Sequence, residues 1–155
     1  YVSREAARFL GKDLAELKLI TCHLGNGSSL SAIRDGICVD TTMGFTPQEG
    51  MMMGTRSGSI DPTIVTYIMK QTGMTPEEMD NVLNRKSGLL GISGVSPDCR
   101  EVMEAQAEGN PRAQLAMDVF YHYAKKDYKN LETIISLKIF KYYLQQEKEH
   151  SEQKN

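Results

Sequence analysis

The chain has 155 residues, of which 40% are hydrophobic and 25% are charged, a composition typical of a folded globular domain and not of a disordered chain. Its formal net charge of −2 predicts no general electrostatic attraction to nucleic acid or to an anionic membrane surface. No apolar run approaches the roughly 18 residues that a membrane-spanning helix needs. The three cysteines have no C-x-x-C spacing, so we expect reduced thiols, as in a cytoplasmic protein, and no zinc site.

A short helix is predicted at the start of the chain. Ser3 can cap its first turn and Gly11 can end it. In this helix Ala6, Phe9 and Leu10 are expected to face inward.

Three β-rich runs follow, at residues 17–23, 28–34 and 37–42. The first two are separated by a glycine turn. The last two are joined by Asp35 and Gly36, a strong signal for a two-residue hairpin. The pattern predicts an antiparallel meander of three strands.

The second half of the chain carries the start signals of three helices. Asp61 precedes a proline, and Gly73 would end the helix that begins there. Thr75 and Glu78 have the spacing of a capping box, and Asn110 precedes another proline. After the short first helix, the predicted order is therefore three strands and then helices.

The turn between the first two strands is the first candidate site. Gly25 and Gly27 flank Asn26, so the backbone can adopt positive φ and its N–H groups can approach phosphate oxygens. His23 stands just before the turn and could be a phosphate ligand. A hairpin turn without a ligand, with His23 merely at a strand end, is the alternative interpretation of the same residues. No Walker A string occurs, which excludes a P-loop.

Arg56 is the second candidate, because small residues on both sides leave its guanidinium open to a phosphoryl or carboxylate group. The alternative is an ordinary surface arginine in a flexible loop. The nearby run Met51, Met52 and Met53 predicts core packing and not a metal site.

Four strings in the same order resemble the acetate and propionate kinase family, and acetate kinases in particular. The strings are 21–29 (TCHLGNGSS), 42–50 (TMGFTPQEG), 53–62 (MGTRSGSIDP) and 86–94 (KSGLLGISG). The resemblance implies an α/β fold, part of an actin-like (ribonuclease H-like) ATPase domain. Residues 1–126 would be the central part of such a kinase, mostly the start of its second actin-like domain, and residues 127–155 a divergent segment, helical or disordered.

The resemblance also implies site residues. His23 and Arg56 would be catalytic, and Pro47 would line the pocket for the acetate methyl group. Cys99 stands where the family has phenylalanine. The residues implied to bind nucleotide or phosphate are His23, Leu24, Gly25, Asn26, Gly27, Asp98, Cys99 and Arg100.

The implied activity is reversible phosphoryl transfer from ATP to acetate, giving ADP and acetyl phosphate by a direct in-line step. ATP and Mg²⁺ would be needed, with the metal-site residues outside this chain. The whole protein would be a cytoplasmic homodimer that binds neither nucleic acid nor membrane. A propionate or butyrate kinase is the alternative enzyme, and a non-catalytic remnant is the alternative of another class.

Several parts that the family requires are missing from the sequence, including its other domain, the catalytic aspartate and the later adenine-binding string. The chain does not begin with methionine and departs from the family from about Asp127. We therefore expect a piece of a longer kinase or a truncated reading frame, inactive by itself.

Overall fold

The computed structural model describes residues 1–135 of the chain. The divergent segment predicted for residues 127–155 lies outside the described residues from residue 136 onward. Along the described part, the elements are α1 Val2–Leu10, a 3₁₀ turn Leu14–Glu16, β1 Lys18–Leu24, β2 Ser28–Arg34, β3 Ile37–Thr41, α2 Pro62–Thr72, α3 Pro76–Arg85, α4 Gly88–Ser93, α5 Cys99–Ala107 and α6 Pro111–Ile135. A three-stranded sheet followed by helices is the order that the sequence predicts.

The sheet has the strand order β1-β2-β3, and both strand pairs are antiparallel. Asp35 and Gly36 join β2 to β3 with φ values of 53° and 75°. Positive φ at both central residues is what a tight hairpin turn of the right twist needs, so the predicted meander is confirmed. A register shift between Ala32 and Ile33 lies in β2, just before the turn.

Helix α1 ends at Gly11, which has the predicted left-handed conformation. Tyr1, and not Ser3, is its N-cap, and no side chain caps the helix. The prediction that Phe9 and Leu10 face inward is wrong, since they are 89% and 46% exposed, whereas Ala7 is buried. Packing through Ala7 turns Phe9, about 200° further around the helix axis, toward solvent.

The caps of α2 and α3 are those predicted. Asp61 accepts a hydrogen bond from the Thr63 N–H at 2.8 Å, and Gly73 ends α2 in the left-handed conformation. Thr75 and Glu78 form the reciprocal capping box of α3, with distances of 2.8 and 3.2 Å.

Helix α6 begins after Asn110, as predicted, and is the centre of the core. It packs over the sheet and against α4 and α5. Met51, Met52 and Met53 are at most 3% exposed, which confirms their packing role. The buried cluster comprises Leu30, Ala32, Met51, Met52, Leu89, Val102, Ala113, Ala116, Met117, Phe120, Leu131 and Ile135. Within residues 1–135, no helix is long and apolar enough to cross a membrane.

Candidate functional site

The glycine turn closes β1 onto β2. Strand pairing places His23 opposite Ser29. Within the turn, the Gly25 N–H donates to the Gly27 carbonyl at 3.2 Å, and the Ser28 hydroxyl donates to the Gly25 carbonyl at 3.0 Å. These two bonds fix the shape of the turn.

The prediction of positive φ in this turn is wrong: neither Gly25 nor Gly27 has it. Both glycines instead lie close to the ends of movable side chains. A β-carbon at Gly25 would lie 3.3 Å from His23 Nε2, and one at Gly27 would lie 3.4 Å from Arg56 Nη1. The turn therefore lies between the imidazole and the guanidinium.

The N–H groups of this turn are only partly free. The Gly25 N–H is taken by Gly27, contrary to the expectation that the turn leaves its donors uncovered. Within residues 1–135, the N–H groups of Asn26 and Gly27 donate to no other group. Two backbone donors thus remain for an anion.

Arg56 is half-buried and held at the backbone. Its carbonyl accepts from the Met53 N–H at 3.1 Å, and the next N–H, of Ser57, donates to the Leu83 carbonyl at 3.0 Å. Its Nη1 lies 3.6 Å from Met53 Sδ. Among the described residues, no carboxylate lies within 4.0 Å of this guanidinium. Its positive charge is therefore not neutralised by the part of the chain that surrounds it.

Gly54 joins the turn to the Arg56 segment. Its N–H donates to the Asn26 carbonyl at 3.0 Å. A β-carbon at Gly54 would collide with Asn26 Oδ1 and would lie 2.7 Å from the Pro97 carbonyl oxygen. In the sequence, the signal for a role of Gly54 is its place two residues before Arg56. Only glycine allows these three segments to meet.

Helix α4, which the sequence pattern does not predict, holds the same segment from the other side. Its first amide groups are bonded to backbone carbonyls of residues 53–55, so the segment cannot shift freely. The pairs are Ser87 to Thr55 at 2.9 Å, Leu89 to Met53 at 2.9 Å and Leu90 to Gly54 at 3.0 Å.

Asp98 and Arg100 form an exposed pair at the start of α5. Asp98 accepts from the Arg100 N–H at 2.9 Å and from its guanidinium at 2.6 and 3.1 Å. The bonds from the Arg100 side chain, and then from its N–H, lower the pKa of Asp98 to about 2. Cys99 Sγ lies 4.0 Å from Met117 Sδ, at the edge of the core. Pro97 brings this segment to Gly54.

Pro47 lies in an exposed loop, residues 43–49. The loop reaches the Arg56 segment through Gln48, whose Nε2 donates to the Ser57 hydroxyl at 2.6 Å. The structure thus brings His23, the turn and Arg56 together directly. It joins Pro47 and Asp98 to them through intervening residues.

Free N–H groups beside an arginine without a carboxylate partner are donors of the kind that suit an anion such as phosphate. The family profile described as the Acetokinase family matches residues 1–137, and the chain belongs to this family. This confirms the resemblance that the four strings predict.

Individual relatives agree with the family match. The acetate kinase of Moorella thermoacetica is 59% identical over 126 residues, which cover 81% of this chain and 32% of the relative. The crystal structure of Porphyromonas gingivalis acetate kinase superposes with a TM-score of 0.85 at 43% identity, covering 88% of this chain and 34% of that one. A propionate kinase from Francisella tularensis superposes with a TM-score of 0.82 at 43% identity. The match covers 89% of this chain and 35% of that one.

The predicted fold is confirmed by these neighbours, since acetate kinases have an actin-like ATPase fold. The chain spans about a third of the length of the relatives it matches.

Proposed function

We propose that this chain forms one wall of the active site of an acetate kinase, an ATP:acetate phosphotransferase that makes acetyl phosphate reversibly. The observation that carries the proposal is the half-buried guanidinium of Arg56, which has no carboxylate partner among the described residues and lies against the glycine turn. Membership of the Acetokinase family and the printed names of the relatives support it.

The donor set fits the phosphates of ATP or ADP. The free N–H groups of Asn26 and Gly27 and the side chains of His23 and Arg56 are donors in or beside the turn. Charged and backbone donors of this kind bind phosphate oxygens strongly. In this proposal, Leu24 and Gly25 hold the shape of the turn and the other residues make the contacts.

Arg56 and His23 have the catalytic roles in this proposal. In phosphoryl transfer, charge is spread over the oxygens of the transferred group, and positioned donors stabilise it. The guanidinium would bind these oxygens while they pass from ATP to the acetate carboxylate in line. His23 would donate a hydrogen bond and transfer no proton. No covalent intermediate is required.

The remaining residues would bind the two ends of the substrates. Pro47 would line the apolar pocket for the acetate methyl group. Asp98, Cys99 and Arg100 would lie beside the adenosine. Asp98 and Arg100 are bonded to each other, and each keeps further acceptor or donor positions for the adenosine.

The family implies Mg²⁺ together with ATP. Among residues 1–135, no group of three or more His, Cys, Asp or Glu side chains is placed to hold a metal ion. We propose that the metal ligands lie in a part of the kinase outside this chain, where they would act together with the phosphates of ATP. We assign no step of the transfer to the metal here.

The placement of the chain in the whole enzyme is part of the same proposal. Residues 1–126 would be the central part of the kinase, mostly the start of its second actin-like domain, and residues 127–155 a divergent segment. The whole enzyme would be a cytoplasmic homodimer. Light scattering on an active kinase that contains this segment tests the dimer.

Propionate kinase is the second candidate, because the Francisella tularensis propionate kinase and the Porphyromonas gingivalis acetate kinase are equally identical to this chain, at 43%. Butyrate kinase would differ in the same acyl pocket. A non-catalytic remnant is the third candidate, since the chain spans only about a third of its relatives.

A hybrid enzyme tests these candidates. The 126 residues that align with the Moorella thermoacetica acetate kinase replace that stretch of the relative. Hydroxamate formation is then measured with ATP and acetate, propionate or butyrate. We expect acetate to be the best substrate. A better rate with propionate would favour the second candidate, and a folded hybrid without activity would favour the remnant.

A further inference from the structure

The loop of residues 43–49 carries the proposed acyl-pocket residue but little of its surface is buried. Phe45 in this loop is fully exposed, and Pro47 is exposed as well. The internal bonds of the loop are local: Thr46 accepts from the N–H groups of Gln48 and Glu49 at 3.2 and 3.4 Å. Such bonds shape the loop but do not place it relative to Arg56.

One hydrogen bond from inside the loop links it to the Arg56 segment. Among residues 1–135, the bond from Gln48 Nε2 to the Ser57 hydroxyl, at 2.6 Å, is the one that joins residues 43–49 to another segment. The Ser57 hydroxyl in turn donates to the Gly58 carbonyl at 2.9 Å. Ser57 is the neighbour of Arg56, so the bond ends beside the guanidinium.

The segment that contains Ser57 is held in place by several hydrogen bonds. The Ser57 N–H is bonded to the Leu83 carbonyl at 3.0 Å. Next to it, Gly50 and Ser59 exchange two hydrogen bonds, at 2.8 and 2.9 Å. Gln48 therefore connects a loop with few contacts to a segment that is fixed from several sides.

The other atom of the Gln48 amide, Oε1, is buried and has no hydrogen-bond partner among the described residues. A buried acceptor without a partner costs free energy. Among the described residues, the bond from Nε2 to Ser57 is thus the single hydrogen bond of this side-chain amide, and it forms although Oε1 has no partner.

We propose that Gln48 is a positioning residue for the acyl substrate: its bond to Ser57 sets the separation between the pocket wall at Pro47 and the guanidinium of Arg56. The proposal rests on the proposed function. It predicts that loss of the bond weakens the binding of the carboxylic acid and its selection by length, while the binding of ATP is unchanged.

The first test uses the full 155-residue chain. Gln48→Met keeps the length of the side chain and removes the bond, and Ser57→Ala removes its partner. We expect the amide order parameters of Thr46 and Glu49, measured by ¹⁵N relaxation, to fall below about 0.6 in either variant. The double variant should show no further fall, because both changes remove one bond. Gln71→Met, at an exposed position of α2, is the control. An equally ordered loop in Gln48→Met would overturn the proposal.

The second test uses the hybrid kinase. We expect Gln48→Met to raise KM for acetate about fivefold, the effect of one lost hydrogen bond, and to leave KM for ATP within about twofold. The preference for acetate over propionate should shrink. An active variant with unchanged KM for acetate would overturn the role of Gln48 and leave the proposed function in place. An inactive hybrid with the native segment would instead overturn the proposed function, and this inference with it.

Discussion

The guanidinium of Arg56 lies beside Gly27, at a distance where a β-carbon at Gly27 would be 3.4 Å from its Nη1. Gly27 follows β1, whereas Arg56 follows the buried run of methionines, and the two meet because Gly54 allows Asn26 to pack against it. The positions of Gly27, Gly54 and Arg56 thus depend on one another.

Alanine should destabilise the fold at Gly54 and have little effect at Gly27. At Gly54 the new methyl group meets a backbone carbonyl, of Pro97, at 2.7 Å, and we expect a loss of about 1–3 kcal/mol in the free energy of unfolding. At Gly27 it meets the movable end of a side chain at 3.4 Å, and we expect a change within about 0.5 kcal/mol. Urea unfolding of the full chain measures both. Equal losses in the two variants would contradict the packing described for Gly54.

Arg56→Ala should lower the turnover number of the hybrid kinase by about 10²-fold or more, because it removes a positioned cation from the transferred phosphoryl group. KM for ATP should change much less. Arg85→Ala, at an exposed position in the last turn of α3, is the matched control and should leave both constants unchanged. An unchanged turnover number in Arg56→Ala would exclude the proposed role.

Replacement of His23 should depend on what the new side chain can donate. In the hybrid kinase, His23→Ala should reduce the rate, and His23→Gln, which keeps an N–H donor, should restore part of it. The reason is that the proposal assigns His23 a hydrogen bond to a phosphoryl oxygen. If Gln were as damaging as Ala and Lys restored the full rate, charge and not donor geometry would be the requirement.

The ion pair of Asp98 with Arg100 should make stability depend on pH. Because bonds from Arg100 lower the pKa of Asp98 from 3.8 to about 2 in the folded chain, the unfolded chain binds the proton more readily. The stabilisation is therefore present above about pH 4 and is lost as the pH falls toward about 2.

The midpoint of urea unfolding of the full chain, measured at several values between about pH 5 and about pH 2, tests this loss of stability. This interval is about the range in which Asp98 titrates. Asp98→Asn should show a smaller fall over this interval than the native chain. Glu77→Gln, which neutralises an exposed carboxylate in α3, should keep the native fall. The same pH dependence in Asp98→Asn and the native chain would show that the pair does not stabilise the fold.

The 155-residue chain alone should have no kinase activity. Phosphoryl transfer requires both substrates to be held in one closed site, and water in an open half-site weakens the electrostatic effect of Arg56 and His23. ADP release from ATP, measured with and without acetate, is the test. Acetate-dependent turnover would show that this chain suffices for catalysis.

Much of the fold follows from local chemistry, and these parts were predictable. Asp35 and Gly36 specify their turn by the φ values they tolerate, and Asp61 and Thr75 specify helix starts by the side-chain bonds they make. Helix α4 was not predictable in this way, because the bonds that begin it come from carbonyls of residues 53–55.

The same distinction between local chemistry and contacts of remote segments applies to the candidate site. The sequence by itself singled out His23, the glycine turn and Arg56, because their chemistry suits a phosphate and their strings resemble a family. It could not determine that Gly25 and Gly27 lie near His23 and Arg56 without positive φ, that Gly54 joins the turn to the Pro97 segment, or that Gln48 links two loops. Those properties depend on distances between segments that are remote in sequence, and only packing around the core sets such distances.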